Sequence, residues 1–394
     1  MSHGNEKLQN YFSYANTTGH GIIGKHNLSK HNLTFRETSV LLNSRLKLDG
    51  SMNLMRQVVK NKPTVGGFYM NPLVGLYRFP RGEDIAYYKE NFEVYDEGRN
   101  LNIQNWHTSY EDFEQNPYWI TNRILSKENR MHVIVSLSAN LKINDWLSLQ
   151  TRGNVDYIND KVRQQFYAST APALAGANGR YIEMDYQETQ YYGDAILMMK
   201  KQWDAFSLNA ALGASINDKT VNSTRYDSKT ASLKYANVFN LANIIMNGSA
   251  GLDQKIDARR QLQSLFATAQ LGYNEFVYLD LSARNDWSST LAYTSHEKSG
   301  FFYPSVGFSL IFNKLMTLPR WVSLAKIRGA YSMVGNDIPM FITNPSSHIT
   351  AGGEFLASDA APFKDMEPEM THSFEAGIEA RFFKEPHWFE CHFL

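Results

Sequence analysis

The chain has 394 residues with 39 basic against 39 acidic, so its formal net charge is zero and it lacks the basic surplus of a nucleic-acid binder. Charged residues make up 20% and aromatics 13%, and no apolar run approaches the ~18–20 residues that a membrane helix needs. Cys391 is the single cysteine, which excludes a disulfide framework.

In chain order, the opening stretch MSHGNEKLQNYFSYANTTGHG has no basic segment followed by an apolar one, so no secretory signal is expected in it. Gly19, Gly21 and Gly24 in GHGIIG match a dinucleotide-binding pattern. The following KHNLSKHNLTF is a poor helix and no βαβ unit surrounds it, so a glycine-rich turn between strands is expected. His20, His26 and His31 lie close in sequence, but no cysteine or carboxylate stands beside them to complete a zinc site. His387, Cys391 and His392 have the composition of metal ligands, yet they sit at a terminus, where order is poor. No metal and no cofactor are expected.

A long irregular stretch is expected over 58–128. Within it, IQNWHTSYEDFEQNPYWITN sets Trp106, Tyr110, Phe113, Tyr118 and Trp119 among amides and carboxylates, with Asn116 in the same run. Rings beside such groups suit stacking and hydrogen bonding to a sugar or a peptide. The competing reading is that they pack the loop or form an interfacial girdle. Both readings stay open at this stage.

Beyond it, apolar and polar residues alternate. MHVIVSLSANLKI sets Val133, Val135, Leu137, Ala139, Leu141 and Ile143 against Ser136, Ser138, Asn140 and Lys142. LSLQTRGNVDYIN, AFSLNAALGASIND, SLFATAQLGYNE, FVYLDLSARNDWSST and THSFEAGIEARFF follow the same rule. A period of two predicts strands with two unlike faces. The runs are about 10–13 residues long, whereas an ordinary strand has about 5–6 and a tilted transmembrane strand about 9–11. Short links near 143–146, 200–204, 272–275 and before Trp321 alternate with long stretches over 58–128, 159–190, 218–260, 287–303 and 335–370. That alternation is how outer-membrane barrels are built, and long structureless loops are uncommon in compact soluble domains.

The charges orient the strands. A Lys or Arg facing lipid at the midplane costs about 2–4 kcal/mol. Arg152, Arg284, Arg328 and Arg381 fall on the polar side of their strands, as do Asp280 and Asp286. They are therefore expected to face a wet lumen, with Val277, Leu279 and Leu281 facing lipid. The fold class expected is all-β: a transmembrane antiparallel β-barrel of about twelve strands with long extracellular loops and short periplasmic turns. A secreted, soluble all-β carbohydrate-binding protein is the alternative, with the same alternation and the apolar face inward. Motifs H-E-x-x-H, G-x-S-x-G and G-K-S/T are absent, and no catalytic set stands out, so no enzyme is expected.

Three stretches carry a resemblance to the SusC/RagA family of TonB-dependent outer-membrane transporters, typical of Bacteroidota. YLDLSARNDWSST followed by FFYPSVGFSLIFN is similar to the family's strand ending in Arg-x-Asp-Gly-Ser-Ser, then a loop, then Phe-Pro-Ser. LAKIRGAYSMVGNDIP resembles its Lys-x-Arg-x-x-Tyr followed by Gly-Asn, and MEPEMTHSFEAGIEARFF its Pro-Glu-x-Thr then Glu-x-Gly. NPYW at Asn116–Trp119 and YFSYANTTGHG are also similar to family segments. Trp287 stands where the family has glycine, a departure in that turn. The resemblance implies a 22-stranded barrel around a plug, of which residues 1–394 are expected to supply about twelve strands, with signal peptide, plug and C-terminal strands absent. A half barrel with open edges is not expected to span lipid alone. The resemblance also implies residence in outer-membrane lipid, a SusD-like surface lipoprotein as lid, force from the TonB complex acting through the plug, and import of an oligosaccharide or a peptide. The substrate is not legible in the residues.

Overall fold

The computed structural model describes all residues except 65–68, 109–113, 230–232, 247–250, 344, 346, 350–354, 360, 364, 383–386 and 394; at 253, 348, 349, 355, 356 and 387–393 it describes the backbone alone. Three strands β1 (Ser2–Gly4), β2 (Leu8–His20) and β3 (Asn27–Leu41) lead into β4 (Leu46–Lys60). The chain then leaves the sheet for two short helices, α1 (Pro72–Arg78) and α2 (Ile85–Glu90), a hairpin of β5 (Glu93–Asp96) and β6 (Leu101–Gln104), and α3 (Pro117–Arg123). It returns as β7 (Ile124–Lys142), β8 (Leu147–Phe166), β9 (Arg180–Trp203), β10 (Phe206–Asp227), β11 (Gly251–Tyr273), β12 (Val277–Ser288) and β13 (Phe301–Ile311). After the one-turn α4 (Phe312–Leu315) come β14 (Val322–Asn336), the small pair β15 (His348–Ile349) and β16 (Phe355–Leu356), then β17 (Glu369–Phe382) and β18 (His387–Phe393).

Fourteen of these strands form one antiparallel sheet in which sequence neighbours are spatial neighbours, from β1 to β18, with the 61–123 excursion skipped. The sheet is not closed among the described residues: β1 and β18 are its two edges. Its twelve longer strands match the number expected, but they run from 11 to 24 residues. The stretches 159–190 and 218–260, expected to be irregular, are strand at both ends: β8 continues to Phe166, β9 starts at Arg180, β10 reaches Asp227 and β11 starts at Gly251. The alternation fades there because both faces are wet. Segments such as NDKVRQQF and RYIEMDYQETQ carry polar groups on both sides, so periodicity no longer marks a strand that its ladder still holds.

Tight turns close the other end. Asn274 and Glu275 both have positive φ, 44° and 57°, as a two-residue turn that follows the strand twist requires. A belt of rings follows these turns. Trp203 stacks on Phe206 at 6.4 Å, Phe206 lies 4.9 Å from Tyr273, and Lys201 sits over Trp146 at 5.5 Å. From Tyr273, the outward positions of β11 read Leu271, Ala269, Ala267, Leu265 and Gln263. About ten residues at ~3.4 Å and a tilt near 40° give a band about 25 Å tall, the height of a barrel's lipid-facing zone. Its side chains are open to the surroundings: Leu137 is 62% exposed, Leu212 54%, Leu265 50% and Ile378 52%. A soluble sandwich would bury this face. Among the described residues no helix is long and apolar enough to cross a membrane.

Candidate functional site: the inner wall and its outer cap

The opposite face is concave and polar. A recess of about 870 Å³ reaches from β7 to β13 and is lined by Asn140, Ser148, Asn209, Thr268, Gln270 and Asp280. Register places Asp49, Ser138, Arg152, Asp194, Ser215, Ser264 and Asp286 opposite one another in one row from β4 to β12. Arg152 pairs with Asp194 at 2.6 Å, and Tyr192 donates to the same carboxylate at 2.7 Å. The Asp194 side chain is fully buried beneath that pair. Arg284 donates to Asp286 at 2.8 Å and to Ser264 at 2.7 Å, and lies over the Phe266 ring. That ring lies across Gly213, where a Cβ would meet it at 2.4 Å, so the wall accommodates Phe266 only because residue 213 has no side chain. Asp280 accepts from Gln270 at 2.7 Å, and Arg381 donates to Glu379 at 2.8 Å. Arg328 lines a smaller recess with Asp280, Lys326 and Glu375. All six charged residues singled out in the sequence share the concave face.

Above the wall, the described residues of the excursion 61–123 and the loop 167–179 fold into a cap that shares a core with the strand ends beneath it. Phe166, Ala175 and Ile182 are buried together, with Met70, Ile124 and Leu174 packed on them. Gln115, 1% exposed, accepts from the Ala171 amide at 2.9 Å and donates to the Tyr69 carbonyl at 2.5 Å. Asn116 caps α3 by accepting from the Tyr118 amide, and donates to the carbonyls of Tyr88 and Asn105. Glu93 holds Arg123 through two hydrogen bonds and raises its pKa above the ordinary arginine value. Glu83, accepting from the Tyr88 hydroxyl, raises that phenol in the same way.

The aromatic run divides. Trp119 is 1% exposed and its indole donates to Thr170 at 3.0 Å; Asn116 is fully buried. Neither offers a face to a ligand in this arrangement, which accords with the packing reading of the two left open by the sequence: amide and indole groups buried in a loop hold that loop when protein atoms satisfy them. Trp106 is half-buried, donating to Glu114 at 3.0 Å and packing on Phe79 and His107. Tyr118 is partly exposed. Tyr110 and Phe113 lie outside the described residues, as do the side chains of His387, Cys391 and His392. His20 bonds Asn27 at 2.5 Å and His31 bonds Tyr14 at 2.8 Å, in the hairpin whose turn contains Gly21 and Gly24.

A second inner-rim node was not foreseen. Asp337, just past β14, reaches β11 and β12, strands it does not neighbour in the sheet. It accepts from Arg260 at 2.5 Å, Ser288 at 2.7 Å, Thr290 at 2.6 Å and the Ile338 amide at 2.8 Å. The stretches DWSST and GNDIP, two of the three that carry the resemblance, therefore meet at one carboxylate.

A protein-family model described as TonB dependent receptor-like, beta-barrel matches residues 68–389. The chain belongs to that family. Its members are outer-membrane transporters and receptors. Among solved structures, the RagAB peptide transporter is similar at 18% identity with a TM-score of 0.74, over 97% of this chain and 42% of that one. The RagAB peptide importer in its open-open state is similar at 18% identity and a TM-score of 0.71, over 97% and 41%. FpvA of P. aeruginosa bound to heterologous pyoverdines shares 13% identity with a TM-score of 0.55, over 96% and 42%. The likeness is one of fold, and the TonB-dependent receptor chain thus spans about two fifths of these structures' length. No curated protein matches it in sequence.

Proposed function

We propose that this TonB-dependent receptor chain forms part of the wall and outer rim of a SusC/RagA-type transporter that imports short peptides or oligosaccharides. The observation that carries the reading is the pairing of an exposed apolar outer face with a concave, charge-paired inner face under a folded cap. Such a wall separates lipid from a wet path. The open sheet is read as one part of a larger, closed barrel of the 22-stranded class. A SusD-like lipoprotein would cover the cap, and TonB would act through a plug inside the completed barrel.

The ligand surface proposed is the recess of about 350 Å³ between cap and wall, lined by Asn61, Lys62, Ser126, Glu128 and Gln164 over Ile120, Ile124 and Phe166. One carboxylate and one ammonium over an apolar floor suit the two ends of a short peptide, and the RagAB structures are named for a peptide transporter. Trp106 and Tyr118 keep a supporting part in this reading, at the base of the cap. Glu128→Gln is expected to weaken binding of a mixed-tripeptide pool about tenfold, the loss of one charge-assisted contact. Titration calorimetry on the protein from outer membranes reads this, with a mixed-oligosaccharide pool as the second arm. Unchanged peptide affinity would remove the recess from the path, and heat from the sugars alone would reassign the substrate.

The soluble carbohydrate-binding alternative makes an opposite prediction at Leu212. This residue is 54% exposed near the middle of the band. On a water-facing surface Leu212→Arg stays within about 0.5 kcal/mol. Facing lipid it costs about 2–4 kcal/mol and lowers the amount of protein assembled in the outer membrane. Unchanged assembly on a heat-modifiability gel would rule out the lipid-facing assignment.

A further inference from the structure

On β4, β7 and β8 every acidic residue lies on the inner face, whereas basic residues lie on both faces. Asp49, Glu128, Asp156 and Asp160 all take the parity of the inner wall, opposite Ser138, Val162, Ile134 and Arg130 respectively. The outward positions above the apolar band carry Arg56, Lys60, Lys127, Lys161 and Arg163, and no acid. Lys60 lies directly opposite Lys127, and Lys127 directly opposite Arg163. Like charges facing across a ladder destabilise it. All five side chains are exposed. Among the described residues, the edge nearest β9 alone is neutralised, by Glu183 at 3.2 Å from Arg163 and Asp185 at 3.3 Å from Lys161. Lys60 and Lys127 form no ion pair among the described residues.

We propose that this outward basic row binds the phosphate groups of a glycolipid in the outer leaflet. Its position fits. Met131 is the last apolar outward residue of β7 before Asn129 and Lys127. Four residues along a strand tilted near 40° raise Lys127 about 10 Å above Met131, into the headgroup layer. Continuity with the lipid-facing band means that a lipid whose chains lie on Met52, Leu54, Val133 and Val135 presents its head to the row. Arginine and lysine then supply the fork and the point charges that phosphate oxygens accept from. Phosphates there turn the like-charge opposition into mutual bridging. Balanced outward groups on neighbouring strands, such as Arg259 with Asp218 at 2.5 Å, need no such counter-ion.

This inference rests on the outer face lying in the membrane. The test uses protein purified from outer membranes and placed in phosphatidylcholine nanodiscs doped with bisphosphorylated lipid A or with its dephosphorylated form. Native mass spectrometry counts the glycolipid retained. The wild-type protein should retain the phosphorylated form on the order of tenfold more than the dephosphorylated one, and the K60Q/K127Q/R163Q variant should lose that preference. Without lipid A, the variant should melt close to wild type, because the relieved repulsion among Lys60, Lys127 and Arg163 offsets loss of the exposed Arg163–Glu183 pair. Equal retention of both forms by the wild type would overturn the proposal. So would a variant that keeps the preference, or one that keeps its lipid A and instead loses an acidic protein partner. Failure of the membrane reading itself would show separately, as unchanged assembly of Leu212→Arg.

Discussion

Replacing Asp337 with alanine should free two rim loops at once while leaving the sheet beneath them intact. The carboxylate accepts four hydrogen bonds, from Arg260, Ser288, Thr290 and the Ile338 amide. Ser288 and Thr290 are 9% and 6% exposed, so they have little water to turn to once it is gone. Arg260 loses its acidic partner while its Nε already lacks a hydrogen-bond partner among the described residues. Breaking a buried pair costs about 3–5 kcal/mol. The Arg260 side chain is 37% exposed, so solvent screening brings the figure to about 3 kcal/mol. In hydrogen exchange this appears as a loss of protection on the order of 100-fold over 288–294 and 337–343. Amides of β12 near Leu279 should not change. Asp337→Asn should recover part of the loss, because an amide oxygen still accepts from Arg260 and Ser288 while its NH₂ faces the Ile338 N–H unfavourably. Equal protection in all three proteins would show that the node does not hold the loops.

The wall was legible because lipid and lumen impose opposite chemistry on alternate residues. Arg152, Arg284 and Arg381 fix the parity of their strands, since a one-residue slip would turn each toward lipid. The signal fails where the constraint ends. Above the band, Lys161, Arg163, Glu183 and Asp185 face outward at no great cost, so β8 and β9 read as loop until their ladder is seen. Strand length is set there by pairing rather than by burial.

The cap was legible only as composition. Aromatics among amides suit both a ligand and a polar core, and burial alone separates the two. The Asp337 node was hidden for another reason. Its partners lie 77, 49 and 47 residues away, Arg260 in β11 and Ser288 and Thr290 in DWSST, a stretch read independently of GNDIP. A signal was present, because hydroxyls in DWSST and an acid in GNDIP are complementary. Only the fold of the rim brings them within 3 Å.

Trp119 is where packing and binding can be told apart. Its side chain is 1% exposed, and its indole donates to Thr170, itself 2% exposed. Trp119→Ala should cost about 3–5 kcal/mol, the cavity term of a large buried ring plus an orphaned hydroxyl. That exceeds what the short helices of the cap can absorb, since α1 and α3 have seven residues each and gain little stability alone. The cap should therefore open locally: limited proteolysis should cut within 105–123 and 167–179, while the sheet keeps its heat-modifiable mobility. Trp119→Phe keeps most of the apolar volume and should restore protease resistance, at about 1–2 kcal/mol for the lost hydrogen bond. Tyr118→Ala, on the partly exposed neighbour, should leave the cleavage pattern unchanged. If peptide binding falls with Trp119→Ala and returns with Trp119→Phe, Trp119 is a positioning residue acting through the cap. Binding lost in both variants, with proteolysis normal in the second, would mean that the indole itself meets the ligand in an opened cap.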